Sequence, residues 1–303
     1  MRLILSEELA FKVDVDSARL DEYVARKVVS LSRTQARKLI LKGRIVVEDM
    51  TVKPSLRITF GQVIKVLSEI PEPGVIEPED IPIEILYEDD DMIVVNKPPG
   101  LPVHPGAGHP SGTLVNALLY LRPGLKEVGS RERPGIVHRL DLDTSGVMVI
   151  AKNLASHAHI SEQFAQRSVN KIYLALIKGS LTQLEAIIEA PIGRDPGNRQ
   201  KMTVVDGGRL SKTRYKVVRN LGEHQLLEVQ LLTGRTHQIR VHFASLGHPI
   251  VGDRLYGTKS KNIERQFLHS HLLGLTHPST GKPMEFNSPL PLDLQDFLTT
   301  LES

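Results

Sequence analysis

At 303 residues, with 40% hydrophobic and 24% charged residues, the chain has the make-up of an ordinary globular protein and room for about two domains. It contains no cysteine, which excludes disulfides and thiolate metal sites and suits a reducing cytoplasm; Met1-Arg-Leu-Ile-Leu is too short an apolar stretch for a signal peptide, and no run approaches the ~20 residues of a membrane span. The formal net charge is only +3, but a pI near 9.0 makes the placement of the basic residues informative.

Residues 17–66 hold eleven Lys or Arg against four acids, a local excess of seven that exceeds that of the whole chain. Within them Ser32 and Gln35 form a capping-box pattern, Ala36, Leu39 and Ile40 supply an apolar face, and Gly43 is a C-terminal stop, so a helix is predicted over 33–42. Arg33, Arg37 and Lys38 would project from it. Strands are predicted over 44–48 and 62–66, with a turn at Lys53-Pro54. A solvated basic face explains a charge run as well as a partner does. The arrangement also resembles the small αL-type RNA-binding module of a small-subunit ribosomal protein and of tyrosyl-tRNA synthetase. That resemblance implies an RNA partner over residues 1–66, with Arg33, Arg37, Lys38, Lys42 and Arg44 as contacts. Residues 67–82 carry four prolines, five acids and no basic residue, which predicts a semi-rigid linker ahead of a second domain at 83–303.

A buried strand is predicted over 92–96, ended by the turn Lys97-Pro98-Pro99-Gly100; Lys97 and His104 are equally readable as RNA-facing or as loop caps. Leu114, Ala117, Leu118 and Leu121 predict a helix over 113–121. Residues 135–152 then place a polar turn between two apolar runs, Ile136-Val137 and 147–151, which reads as strand, loop, strand. Gly146 allows the tight return, and Arg139 and Asp141 fall close together on the loop. Asp141 to Gly146 matches the first half of a calcium loop, but the twelfth position is Lys152 where a bidentate Glu is needed. A plain turn capped by Asp143 and Thr144 is open too. An aspartic-protease loop is disfavoured because Ser145 interrupts Asp-Thr-Gly and no second copy occurs.

A helix is predicted over 155–167; its His157 and His159 are two apart, poor spacing for a shared metal, and read as surface residues. Residues 171–177 read as a strand containing Tyr173, which is either core or a platform for a nucleobase in a chain with 4% aromatics and no Trp. Residues 193–219 form a basic hairpin region, equally readable as phosphate contact or solvated surface. After a strand at 226–232, Thr236 can cap a helix whose Ile239, Phe243 and Leu246 share a face ending at Gly247. His237 and Arg240 then sit in the first turn, where a cation opposes the helix dipole unless an anion, an RNA phosphate or the Asp141 carboxylate, is held there.

His138-Arg139-Leu140-Asp141-Leu142-Asp143-Thr144-Ser145-Gly146 resembles the His-Arg-Leu-Asp-x-x-Thr-Ser-Gly signature of the RluA-type pseudouridine synthases. Leu86 to Gly100 with Pro102-Val103-His104-Pro105, then Lys171-Ile172-Tyr173, then Thr233 to His242 with Gly247 to Ile250 and Gly252-Asp253, resemble the family's other blocks in order. The resemblance implies an α+β catalytic domain with a mixed, largely antiparallel central sheet flanked by helices. It implies a cytoplasmic, monomeric isomerase that turns uridine into pseudouridine in structured RNA, ribosomal in the first instance and tRNA in the second. That isomerisation involves no redox change or group transfer, so no cofactor and no metal is expected. Asp141 would be the catalytic carboxylate, Arg240 the arginine that pairs with it, and Tyr173 the residue that packs on the base and assists proton removal. Arg139 would brace the gap left by the flipped nucleotide. Arg235, His237 and Lys171 are further RNA contacts, and His138 either touches RNA or holds the loop. Two rivals are a non-catalytic RNA-binding protein and an N-glycosidase-type hydrolase, the latter needing a second carboxyl at a set distance.

Overall fold

The structure, a computed structural model, describes residues 9–28, 31, 33–67, 76–106, 108–257 and 263–302. The chain divides into two compact units, Met1–Val75 and Ile76–Ser303.

In the first unit the helices Leu20–Lys27 and Arg33–Leu41 bury Leu20, Tyr23 and Val24 and Ala36 and Ile40 against Ile45, Val47, Ile64 and Val66 of a four-stranded antiparallel sheet. The second helix stops at Leu41 because Gly43, at φ +65°, turns the chain and returns its N–H to the Ile40 carbonyl. Ser32, and with it the expected capping box, lies outside the described residues. Arg37, Lys38, Lys42 and Arg44 are exposed. Arg33 is exposed as well, and its guanidinium also pairs with Glu22 at 2.7 Å and Asp21 at 3.4 Å on the neighbouring helix.

The second unit is built on a nine-stranded sheet. Its order is Glu185–Glu189, Lys212–Leu221, His224–Leu231, Asn170–Lys178, Leu268–Thr276, Ser145–Ala151, Met92–Lys97, Glu84–Glu88, with Pro283–Asn287 also paired to Leu268–Thr276. Among the described residues only Ser145–Ala151 and Leu268–Thr276 run parallel, so the sheet is mixed and largely antiparallel, as expected. The helices are Leu114–Leu121, Leu154–Gln166, Gln238–Ser245 and Leu292–Glu302. Thr113 and Asn116 close a capping box at the first, and Asn153 caps the second.

Four expectations are corrected. The apolar run before the central loop is not a strand: Ile136 makes one isolated bridge to Ile150, since Gly146 to Ala151 already pairs with Met92–Lys97. The 238 helix is entered through His237, at φ +57° and without a side-chain cap, not through Thr236. Leu246 is exposed, because the helix ends before its face returns to the core. Finally, part of the expected spacer is docked: Ile76 and Ile81 pack on the core, the Asn116 amide donates to Glu77 O at 2.7 Å, and the Glu79 carboxylate accepts Gly112 N–H at 2.9 Å. Residues 68–75 lie outside the described residues.

Gly146 is where the parallel strand comes closest. Its φ is +116°, and a Cβ there would stand 2.2 Å from the Ser270 carbonyl oxygen. Gly146→Ala is therefore expected to cost at least about 3 kcal/mol, through overlap with backbone that cannot yield and an unfavourable φ. A urea midpoint equal to that of wild type would refute this close approach.

Candidate active site

The central loop is irregular but tightly held. Lys97, the largest fully buried side chain, ends its strand by donating to three carbonyls: Pro98 at 2.9 Å, Leu101 at 3.0 Å and Leu142 at 3.0 Å. Arg265 donates to Asp143 O at 3.0 Å while its other nitrogens grip the Asp293 carboxylate at 2.6 and 3.0 Å. Gln266 donates to the Thr144 hydroxyl, and Ser145 meets His269 Nδ1 at 2.9 Å. Two buried cations thus fix the carbonyls immediately following Asp141. This answers the open question on Lys97: it is a loop clamp with no face to RNA, and Arg265, Asp293 and His269 are loop supports that the sequence reading passed over.

Burial pushes the Lys97 ammonium down to about 7, with Asp143 and Asp141 pulling it back up and Arg265 adding to the fall. In the unfolded chain this lysine keeps its proton to much higher pH, so between about pH 7 and 10.5 the unfolded state binds more protons and the Lys97 contribution to stability rises with pH. The slope approaches about 1.4 kcal/mol per pH unit at most. Urea midpoints from pH 7 to 9 are expected to show this component in wild type and to lack it in Lys97→Met; equal slopes would refute it.

Across from the loop stands Arg240, on the first turn of the Gln238–Ser245 helix. Its Nη1 donates to Asp141 Oδ2 at 3.0 Å, while Nε and Nη2 fork onto Asp253 at 2.7 and 3.0 Å. Asp253 is fully buried and also accepts the N–H groups of Leu255 and Tyr256. Burial works to raise its pKa, but the hydrogen bonds and charge of Arg240 outweigh burial and lower it. Arg240 is itself pulled down by burial and raised further by its two carboxylates. The cation that would oppose the helix dipole is therefore held by two anions. Asp253 appeared in the sequence only as part of a block; nothing in its spacing marks it as the second partner.

His237 brings Nε2 to 3.9 Å from Asp141 Oδ1, and its Nδ1 lies 2.8 Å from the Tyr256 hydroxyl. That hydroxyl also accepts Met202 N–H at 2.7 Å. Burial lowers the His237 pKa, and Asp141 opposes this.

These groups share a pocket of ≈ 380 Å³ lined by His138, Arg139, Asp141, Lys171, Tyr173, Arg235, His237 and Arg240, among others. All eight residues predicted for the second unit are thus brought together, whereas the five of the first unit belong to a separate compact body. Asp141 keeps 18% of its side chain exposed, enough to meet a ligand. Arg139 is exposed and makes no hydrogen bond or ion pair among the described residues. His138 Nε2 accepts Val149 N–H at 3.0 Å and its ring stacks on Phe164 at 4.5 Å; burial, then the Lys171 charge, pushes it down to about 3, so the ring is neutral and holds the loop. Tyr173 is buried, and burial first, then Asp141, raises its phenol well above the ordinary range, against a hydrogen bond with Ser270. At neutral pH it is a phenol. That suits packing against a base.

Outside the pocket lining, Asp89, Asp91 and His277 cluster in ligand-like fashion. His277 Nδ1 accepts the N–H groups of Ser279 and Thr280, so Nε2 carries the proton and donates it to Asp89 at 2.7 Å. This is a hydrogen-bonded staple between two turns.

Residues 91–245 match the family model described as RNA pseudouridylate synthase, and residues 18–64 match the S4 domain. An uncharacterized RNA pseudouridine synthase of Aquifex aeolicus is 43% identical, covering 98% of each chain. A protein of Zymomonas mobilis named ribosomal large subunit pseudouridine synthase D is 40% identical over 96% of each. Among solved structures, human RNA pseudouridylate synthase domain containing 1 superposes with a TM-score of 0.57 at 28% identity, covering 75% of this chain and 98% of that one. The fold and site define an isomerase that acts on RNA. The chain belongs to the RNA pseudouridylate synthase family, as its RluA-type signature implies, and carries an N-terminal S4 domain. Among the described residues, no helix is long and apolar enough to cross a membrane.

Proposed function

We propose that this enzyme converts specific uridines of large-subunit ribosomal RNA to pseudouridine, with Asp141 as its catalytic carboxylate. The observation that carries the reading is Arg240 clamped between Asp141 and a fully buried Asp253, inside a pocket that also presents Tyr173 and an exposed Arg139. A carboxylate held by an arginine that is itself fixed from behind is preorganised to act on the sugar as nucleophile or as stabiliser of positive character. Tyr173 packs against the extracted base as a neutral phenol, Arg139 braces the gap in the stack, and Arg235 and His237 meet the RNA at the pocket mouth and beside Asp141. Residues 1–66 act as an RNA grip through Arg37, Lys38, Lys42 and Arg44, and residues 83–303 as the catalytic domain. The protein works as a cytoplasmic monomer without cofactor or metal. Ribosomal RNA is favoured over tRNA because relatives such as the Zymomonas mobilis protein carry a large-subunit name.

The test is pseudouridine mapping of ribosomal RNA and tRNA from cells with and without the gene. Sites lost from large-subunit RNA and restored on complementation support the reading. Loss confined to tRNA reassigns the substrate, and no loss overturns the function.

A further inference from the structure

Lys171 is a pocket residue whose chemistry the reading above leaves unused. It is only 8% exposed, lines the pocket, and has no carboxylate partner and no hydrogen-bond acceptor among the described residues. Its nearest feature is a ring face: Nζ lies 5.6 Å from the Phe164 centroid, and Phe164 is stacked on His138. A buried ammonium without an acceptor is costly, and nothing in the fold repays it. Burial, and after it the charge of Arg167, lowers its pKa accordingly. Such a group points to a ligand oxygen that completes it. Lys171 stands two residues from Tyr173 on the Asn170–Lys178 strand, and both side chains line the pocket, so Lys171 flanks the place where the base packs. Arg139 and Arg167, by contrast, are exposed and suited to hydrated phosphates.

We propose that the Lys171 ammonium contacts a carbonyl oxygen of the flipped uracil and stabilises the anion that forms when the glycosidic bond breaks. This rests on the reading of the pocket as the uridine site. Cleavage of C1′–N1 leaves the electron pair on the base, its charge spread over N1, O2 and O4. The base turns, C5 bonds to C1′, the C5 proton departs and N1 takes up a proton, so the net change is an isomerisation. An ammonium fixed in a dry pocket beside O2 or O4 meets charge that exists only after bond cleavage begins, and so acts on the rate more than on binding.

The experiment compares wild type, Lys171→Met and Lys171→Arg on an RNA transcript containing a substrate uridine. It measures the single-turnover rate at saturating enzyme, the Kd for the RNA and the thermal midpoint. Lys171→Met is expected to be slowed about 10²-fold with Kd changed by less than about threefold, and Lys171→Arg to recover part of the rate. Its thermal midpoint should equal or exceed that of wild type, because a desolvated charge has been replaced by an apolar chain of similar length. An unchanged saturated rate, a weakened Kd with the rate intact, which would mean a phosphate grip, or a lowered midpoint each overturns the proposal. A wild-type enzyme that forms no pseudouridine would instead sink the functional reading on which it rests.

Discussion

The Asp141→Asn protein is expected to form pseudouridine on the order of 10⁴-fold more slowly than wild type, or worse, while binding RNA within about threefold of the wild-type affinity. Asparagine has nearly the shape of aspartate and its carbonyl can still accept from Arg240 Nη1, so the contact at 3.0 Å can persist. Arg240 does not swing away when the charge is lost, because its other two donors remain committed to Asp253. The loop likewise stays in place, since Lys97 and Arg265 hold carbonyls and do not touch the Asp141 side chain. What disappears is the negative charge at a position with 18% exposure, which the proposed chemistry needs. Release of the C5 hydrogen from labelled uridine gives the rate, and filter binding gives the affinity. Turnover within tenfold of wild type would remove Asp141 from the chemistry, since a catalytic carboxylate carries far more of the rate than that.

Arg240→Ala should be the most destabilising single change at the site, at about 3–5 kcal/mol. It strands Asp253, which is fully buried and would keep only the Leu255 and Tyr256 N–H groups. It also empties the space over the Tyr256 ring, where the guanidinium lies 5.1 Å from the centroid. Because the folded state depresses the Asp253 pKa, the stabilisation from this pair is fully present above the unfolded value near 3.8 and is lost as the pH falls through the lower folded value. The gap between wild type and Arg240→Ala is therefore expected to be widest at neutral pH and to narrow in acid, where Asp253 of the variant is protonated. Urea midpoints at pH 7 and 3 measure it, and a gap that grows in acid would contradict the assignment. Arg240→Lys should recover little, since one ammonium cannot fork onto Asp253 and reach Asp141 at once.

The largest structural effects thus fall on residues of unequal visibility in the sequence. Asp141, Arg139, Tyr173 and Arg240 were legible because they sit in ordered motif blocks, and the helix at 114–121 because capping residues and apolar spacing agree. Arg33 projects as its place on the helix implies, but its pairing with Asp21 and Glu22 of the neighbouring helix was not legible in the sequence. Ile136 and Val137 misled, since their apolar character serves packing beside the pocket and not a regular ladder.

By itself the sequence determined the class of chemistry, the two-part charge distribution and most elements, because motifs, capping and periodicity are local properties of the chain. Only the tertiary structure decided which side chains hold the Asp141 loop. Arg265 holds a carbonyl 122 residues away along the chain, Lys97 one 45 residues away, and the Arg240 that Asp253 fixes reaches Asp141 across 99, while a lysine or aspartate in isolation looks like any surface charge. Their meaning comes from being buried. Inside the fold, an unpaired charge is too costly to keep, so the partners each one takes, the Leu142 and Asp143 carbonyls and the Arg240 guanidinium, are dictated by what the sheet and the Gln238–Ser245 helix bring within reach.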